Sequence, residues 1–247
     1  QGRIVGHRRK LKPSHSERRI WGEGDGADLF VVQTALGKVG GLNCWEHLQP
    51  LTKFAMYSFG EQIHVAAWPA FSFLSEAVDF TFGCSCCEII SRTYALEGGC
   101  FVIFTPTFMD QATVDKLCGD NAAKRATMRV GGGGAAIIGP NGAIIAGPLP
   151  DGEEGILVGD IDFRMIAAMK MVNDPVGHYA RADATQLLIN PNPREVVIAT
   201  APLSVGGRIG AHKPRAETKP APATTSGRAP AKSAKVVEVA ARRRGER

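Results

Sequence analysis

Apolar residues fall along this chain in short blocks whose spacing alternates between strand-like and helix-like. Val31 to Thr34 and Leu36 to Leu42 are extended runs separated at Gly37, which predicts a strand pair. From Glu46 to Phe59 the residues Leu48, Leu51, Phe54, Ala55 and Tyr57 to Phe59 recur near helical spacing, so a helix is expected there. Ile63 to Trp68 reads as a buried strand ended by Pro69. The order strand, helix, strand favours a parallel crossover and an α/β architecture. Further along, a helix is expected from about Phe71 to Glu97 and a strongly apolar strand over Cys100 to Thr105. Helical or irregular chain should follow to about Arg125. Ala135 to Ile138 and Ala143 to Ala146 flank Pro140-Asn141-Gly142, a turn sequence that predicts a β-hairpin. Ile156 to Ile161 reads as one more strand, Asp162 to Val172 as a helix, and Ile4-Val5 as the end of a strand.

After Pro202 the pattern dissolves into Pro, Ala, Lys, Thr and Ser, too poor in apolar surface to offset the entropy of ordering. One domain over residues 1–201 is therefore expected, then a disordered basic tail over 202–247 with at most a short helix near Lys235 to Arg244. The net charge of +5 changes meaning once it is divided. Residues 208–247 carry eleven Lys/Arg against three acids, so the rest of the chain is net acidic and offers no polyanion-binding face. No nucleic-acid partner is expected. With 44% hydrophobic residues in 247 the chain can bury a full core, but no apolar run approaches the roughly 20 residues that span a bilayer. The six cysteines form no evenly spaced framework and no secretory apolar segment precedes them, which points to a cytoplasmic protein without disulfides. Cys84-Ser85-Cys86-Cys87 has no second cysteine pair to complete a zinc site and reads as small core residues of a helix; no metal or cofactor is expected. Gly131 to Gly134 lacks the Gly-Lys-Ser/Thr ending of a phosphate loop.

Chemistry concentrates at Gly40-Gly41-Leu42-Asn43-Cys44-Trp45-Glu46-His47, where an apolar run ends in one cysteine at a strand-to-helix turn. Free backbone N–H groups and the positive end of a helix dipole favour a thiolate there and can hold a developing anion. The glycines at 40 and 41 are expected to let backbone and substrate approach closely. Cys44 is the candidate nucleophile.

Gly40 to Glu46 resembles the cysteine signature of the nitrilase branch of the carbon-nitrogen hydrolase superfamily, in which Trp-Glu follows the nucleophile. Three further blocks match in order. Arg8 to Arg18, followed by Trp21 to Gly26, is similar to the family's lysine block; Ser91 to Gly98 and Asp174 to Arg181 resemble two later segments. In the last of these, Ala182 and Ala184 stand where the family carries proline and valine, and no catalytic role is carried over from it.

The resemblance implies a four-layer α-β-β-α sandwich with subunits that pair and often extend into spirals, so a homo-oligomer is expected. It makes Lys10 the catalytic lysine, Glu17 a second, electrostatic glutamate, and Trp45 and Trp68 substrate-side aromatics. Without it, Lys10 would have no status above Arg8, Arg9 or Lys12, and His15 reads as a hydrogen-bonded loop residue. The family's general base is a glutamate upstream of the lysine block. It has no counterpart in this sequence, which begins nine residues before Lys10, so an N-terminally shortened, poorly active and aggregation-prone chain is expected. The implied activity is hydrolysis of an organic nitrile to acid and ammonia. Rival readings are cyanide dihydratase or hydratase, an amidase of the same superfamily, and a non-catalytic filament-assembly subunit.

Overall fold

The apolar blocks assemble into a six-stranded mixed sheet whose strands lie side by side in chain order. The computed structural model describes residues 2–70, 83–150 and 152–194. β1 (Val32–Thr34) and β2 (Gly37–Asn43) form the expected antiparallel pair. The chain then passes through a 3-10 turn, Cys44–Leu48, and α1 (Pro50–Ser58), whose first position is the proline that tolerates a helix start. It returns as β3 (Ile63–Trp68), parallel to β2. The second crossover delivers α2 (Cys84–Gly98), closed by Gly99 at φ 56, and then β4 (Phe101–Pro106), parallel to β3. A left-handed residue ending a helix is where glycine is favoured.

β5 (Phe108–Met109), α3 (Gln111–Cys118) and α4 (Ala122–Thr127) follow, and β6 (Gly131–Gly132) pairs with β5 in a separate small ladder. The glycine run is thus a short strand, Gly131 and Gly132, followed by a bridge at Gly133 and irregular chain at Gly134. β7 (Ala136–Ile138) and β8 (Ile144–Ala146) make the predicted hairpin, and α5 (Arg164–Val172) ends the regular structure.

Register decides which face each residue meets. Leu42, Ala66, Phe104 and Ala136 lie in one row across the sheet, with Val102 and Ile138 beside them. These side chains, with Met56 and Tyr57 of α1 and Cys87, Tyr94 and Ala95 of α2, form the main core. On the opposite face Phe101 meets Ile161 and Ile166, so α5 covers the start of β4 from the other side. Full burial of large apolar side chains contributes about 1.5–3 kcal/mol each, and Phe104 and Leu42 are in that class.

Two expected strands are absent. Ile4-Val5 is irregular and exposed, and Ile156 to Ile161 forms no ladder. The latter alternates like a strand, but it lies against β7 and β8 through side chains: a Cβ at Gly159 would touch Ile137 Cδ1 and the Ala146 methyl. The helix expected from Phe71 begins at Cys84 among the described residues; positions 71–82, and the tail from 202 with its short helix, lie outside them. No helix of the described residues is long and apolar enough to cross a membrane.

Candidate active site

Parallel β2 and β3 end side by side, and the turn after β2 presents Cys44 at their carboxyl ends. Cys44 is buried and has φ 54, a left-handed conformation that costs a non-glycine residue about 1–3 kcal/mol and persists only where the surroundings enforce it. Glu46 is one enforcing group. Its carboxylate accepts from the Asn43 backbone N–H at 2.9 Å, closing a capping box over the turn. It also accepts a two-pronged contact from Arg8 at 2.8 and 2.7 Å and the Leu11 N–H at 2.9 Å. Burial pushes the Glu46 carboxyl up, but the hydrogen bonds and charge of Arg8, with the Leu11 and Asn43 N–H groups, outweigh it and hold the group below the usual carboxylate range.

The same contacts bind the N-terminal segment to the nucleophile turn. Arg8 Nε also donates to the Asp28 carbonyl and the Arg9 N–H to the Asp28 carboxylate. Four neighbouring cations are now distinguishable. Lys12 and Arg9 have exposed side chains (67% and 54%), Arg8 is committed to Glu46 at 14%, and Lys10 is only 9% exposed. Lys10 Nζ donates to Ser14 Oγ at 2.9 Å and to Glu17 Oε2 at 2.7 Å. Glu17 in turn accepts the Ser14 N–H at 2.5 Å, which fixes it across the 3-10 turn His15–Arg19.

Cys44, Lys10, Glu17 and Trp68 line one cavity of about 560 Å³, which His7 and Trp21 also line. Composition and spacing gave no signal for those last two. Trp45 borders a neighbouring hollow of about 500 Å³ and meets Trp68 edge-on at 6.2 Å. Its contribution at Cys44 is its backbone N–H, which favours the charged form of the thiol. Trp68 is buried, donates Nε1–H to Ser91 Oγ at 3.0 Å and stacks on His47 at 4.9 Å. His15 is exposed, paired with Ser16 Oγ and outside the Cys44 cavity.

Two expectations are corrected. The Cys44 thiol is not held as a thiolate: burial raises its pKa, and Lys10 and the Trp45 N–H only partly offset this, while Glu17 and Glu46 add to the rise. Proton removal must accompany attack. Nor do Gly40 and Gly41 line the Cys44 cavity. A Cβ at Gly40 would fall 2.2 Å from Glu61 Oε2, and one at Gly41 would sit 3.2 Å from the Val65 carbonyl oxygen, so both accommodate the protein's own groups.

Sequence reasoning also missed a buried polar chain beneath the turn. His47 Nδ1 lies 2.7 Å from the Cys44 carbonyl oxygen and its Nε2 3.0 Å from His64 Nε2. His64 Nδ1 lies 2.9 Å from Glu61 Oε2, and the Tyr94 hydroxyl donates to Glu61 Oε1. The available signal was a histidine inside the apolar strand Ile63 to Trp68, three residues after a glutamate. Among the described residues no group of three or more His, Cys, Asp or Glu is placed to hold a metal ion. The segment from Asp174 is a turn in which the Asp174 carboxylate accepts the Val176 and Gly177 N–H groups.

Comparison with known proteins agrees with this geometry. Residues 1–171 match the carbon-nitrogen hydrolase family. The chain is 47% identical over 197 residues to a nitrilase of Pseudomonas syringae pv. syringae, covering 80% of this chain and 58% of that protein. It is 47% identical over 189 residues to an aliphatic nitrilase of Rhodococcus rhodochrous, covering 76% and 49%. The chain thus spans about half the length of these relatives. Among solved structures, a carbon-nitrogen hydrolase from Helicobacter pylori aligns at TM-score 0.59 and 22% identity over 74% of this chain and 60% of that one, which shows the expected nitrilase-type α/β fold. By sequence and by fold, the chain belongs to the carbon-nitrogen hydrolase family.

Proposed function

We propose that this protein hydrolyses an organic nitrile to the carboxylic acid and ammonia, with Cys44 as nucleophile. The observation that carries the reading is the shared cavity of a strained, buried cysteine and a Lys10–Glu17 pair. The relatives named nitrilases support the choice of substrate class.

Glu17 is the carboxylate lining that cavity among the described residues, and it takes the Cys44 proton as sulfur adds to the nitrile carbon. Lys10 stabilises the charge that grows on nitrogen and supplies a proton to it, giving a thioimidate. Water adds to that carbon and ammonia leaves, forming an acyl thioester. A second water releases the acid and restores the thiol. The Trp45 N–H, which already favours negative charge on the sulfur, stabilises the tetrahedral oxyanion alongside Lys10. Trp68 supplies an apolar wall against the organic group.

Supplying the protein with nitriles, cyanide and the matching amides, then measuring ammonia and organic product, tests the reading. Acid and ammonia from a nitrile are expected. Turnover of amides alone would replace it with an amidase, amide as the sole product would make it a hydratase, and filaments without turnover of any compound would leave an assembly subunit.

A further inference from the structure

The buried chain of Tyr94, Glu61, His64 and His47 ends on the backbone carbonyl of Cys44, and none of the four side chains lines the cavity itself. Its hydrogen-bond polarity follows from its ends. A carbonyl oxygen only accepts, so His47 Nδ1 carries the proton. Burial, reinforced by His64, lowers the pKa of His47 well below its ordinary value, which leaves its Nε2 as an acceptor. His64 must then donate Nε2–H. One further proton lies between His64 Nδ1 and Glu61 Oε2, and the Tyr94 hydroxyl satisfies the other oxygen of Glu61.

The two donors nearest the nucleophile, His64 Nε2–H and His47 Nδ1–H, both point toward Cys44. A buried polar chain of four side chains is costly unless fully satisfied, and here Gly40 is what makes room for Glu61. Ring packing removes the remaining freedom: His64 stacks on Tyr94 at 3.9 Å and His47 on Trp68 at 4.9 Å. The group held at the end is the carbonyl of the one buried non-glycine residue in left-handed conformation among the described residues.

We infer that Tyr94, Glu61, His64 and His47 form a positioning device for the nucleophile: their continuous hydrogen-bond chain holds the Cys44 carbonyl, and through it the strained turn that aims the sulfur and the Trp45 N–H. The inference rests on Cys44 being the reactive thiol proposed above. His47 and Glu61 act through Cys44 and touch no substrate.

The test compares paired variants at each end. His47→Asn keeps a donor at the Nδ1 position, while His47→Phe removes it and keeps the ring. Glu61→Gln can still hydrogen-bond His64 and accept from Tyr94, while Glu61→Leu does neither. The rate of Cys44 alkylation by iodoacetamide, read on the Cys44 peptide by mass spectrometry, is measured beside kcat and KM for a nitrile. His47→Phe and Glu61→Leu should slow alkylation and kcat about tenfold or more with KM little changed, since small misplacements of a reacting group carry costs of that size. Asn and Gln should recover most of the loss. Equal rates for Phe and Asn, or for Leu and Gln, would overturn the inference; so would wild-type alkylation in a folded His47→Phe. Where Phe or Leu prevents folding, judged by near-ultraviolet circular dichroism, the conservative partner decides: a rate close to wild type supports the device and a tenfold loss refutes it. Because alkylation needs no nitrile, loss of the nitrile reading alone would show as absent turnover with the alkylation series intact.

Discussion

At the residue scale, the backbone of Cys44 carries as much information as its sulfur. With φ 54 it sits where glycine has no Cβ penalty and alanine does. Cys44→Gly should therefore be at least as stable as Cys44→Ala, by up to about 1 kcal/mol, even though glycine ordinarily loses more entropy on folding. Urea unfolding of the two variants checks this, and a clearly less stable glycine variant would mean the turn is relaxed. The raised thiol pKa has a sign as well. Alkylation of wild-type Cys44 should climb as pH rises and show its midpoint above the ordinary thiol value of 9.0. A plateau already reached at neutral pH would show a preformed thiolate. Residue identity explains why Lys10 was recognisable only by resemblance: four nearby cations have the same charge, and what separates them is burial and the pairing with Ser14 and Glu17, properties of the folded turn.

At the scale of elements, the strands and the hairpin were legible because their apolar runs are short and bounded by Gly, Pro or Asn. Ile156 to Ile161 misled because alternation records which face is buried, and a segment resting on β7 and β8 buries one face without pairing its backbone. The partners of Glu46 and Glu61 were not legible, since Arg8 and Tyr94 lie 38 and 33 residues away and only the sheet order brings them together. β2 gives an element-level prediction. Gly40→Ala would push a methyl into Glu61 and Met56, whereas the methyl of Gly41→Ala meets the Val65 carbonyl at 3.2 Å. Overpacking of this kind costs about 1–3 kcal/mol. Gly40→Ala should lower the thermal midpoint more than Gly41→Ala and should also slow Cys44 alkylation, because it displaces the carboxylate on which the histidine chain is anchored.

For the whole described unit, acid stability should report on the clamp between the N-terminal segment and the nucleophile turn. The folded pKa of Glu46 lies below its ordinary 4.5, so its contribution is present above that value and is lost as pH falls through the folded pKa. Thermal midpoints should decline on acidification below about pH 4.5. Arg8→Met should remove much of that decline and cost about 3–5 kcal/mol near neutrality, the usual consequence of leaving one partner of a buried pair uncompensated. An Arg8→Met protein as stable as wild type would show that the clamp is incidental. The opposite sign holds at high pH: Cys100 and Tyr94, both raised mainly by burial, contribute stability below their unfolded values that disappears as pH rises through the folded ones.

The proposed chemistry turns on one sulfur atom, and ammonia release from a nitrile, measured for the wild-type protein beside Cys44→Ala with folding of both verified, tests it most directly. The thiol mechanism predicts release by the wild type, none above background by Cys44→Ala, and a nitrile-derived mass on the Cys44 peptide in acid-quenched wild-type samples. Release that survives in Cys44→Ala would contradict it.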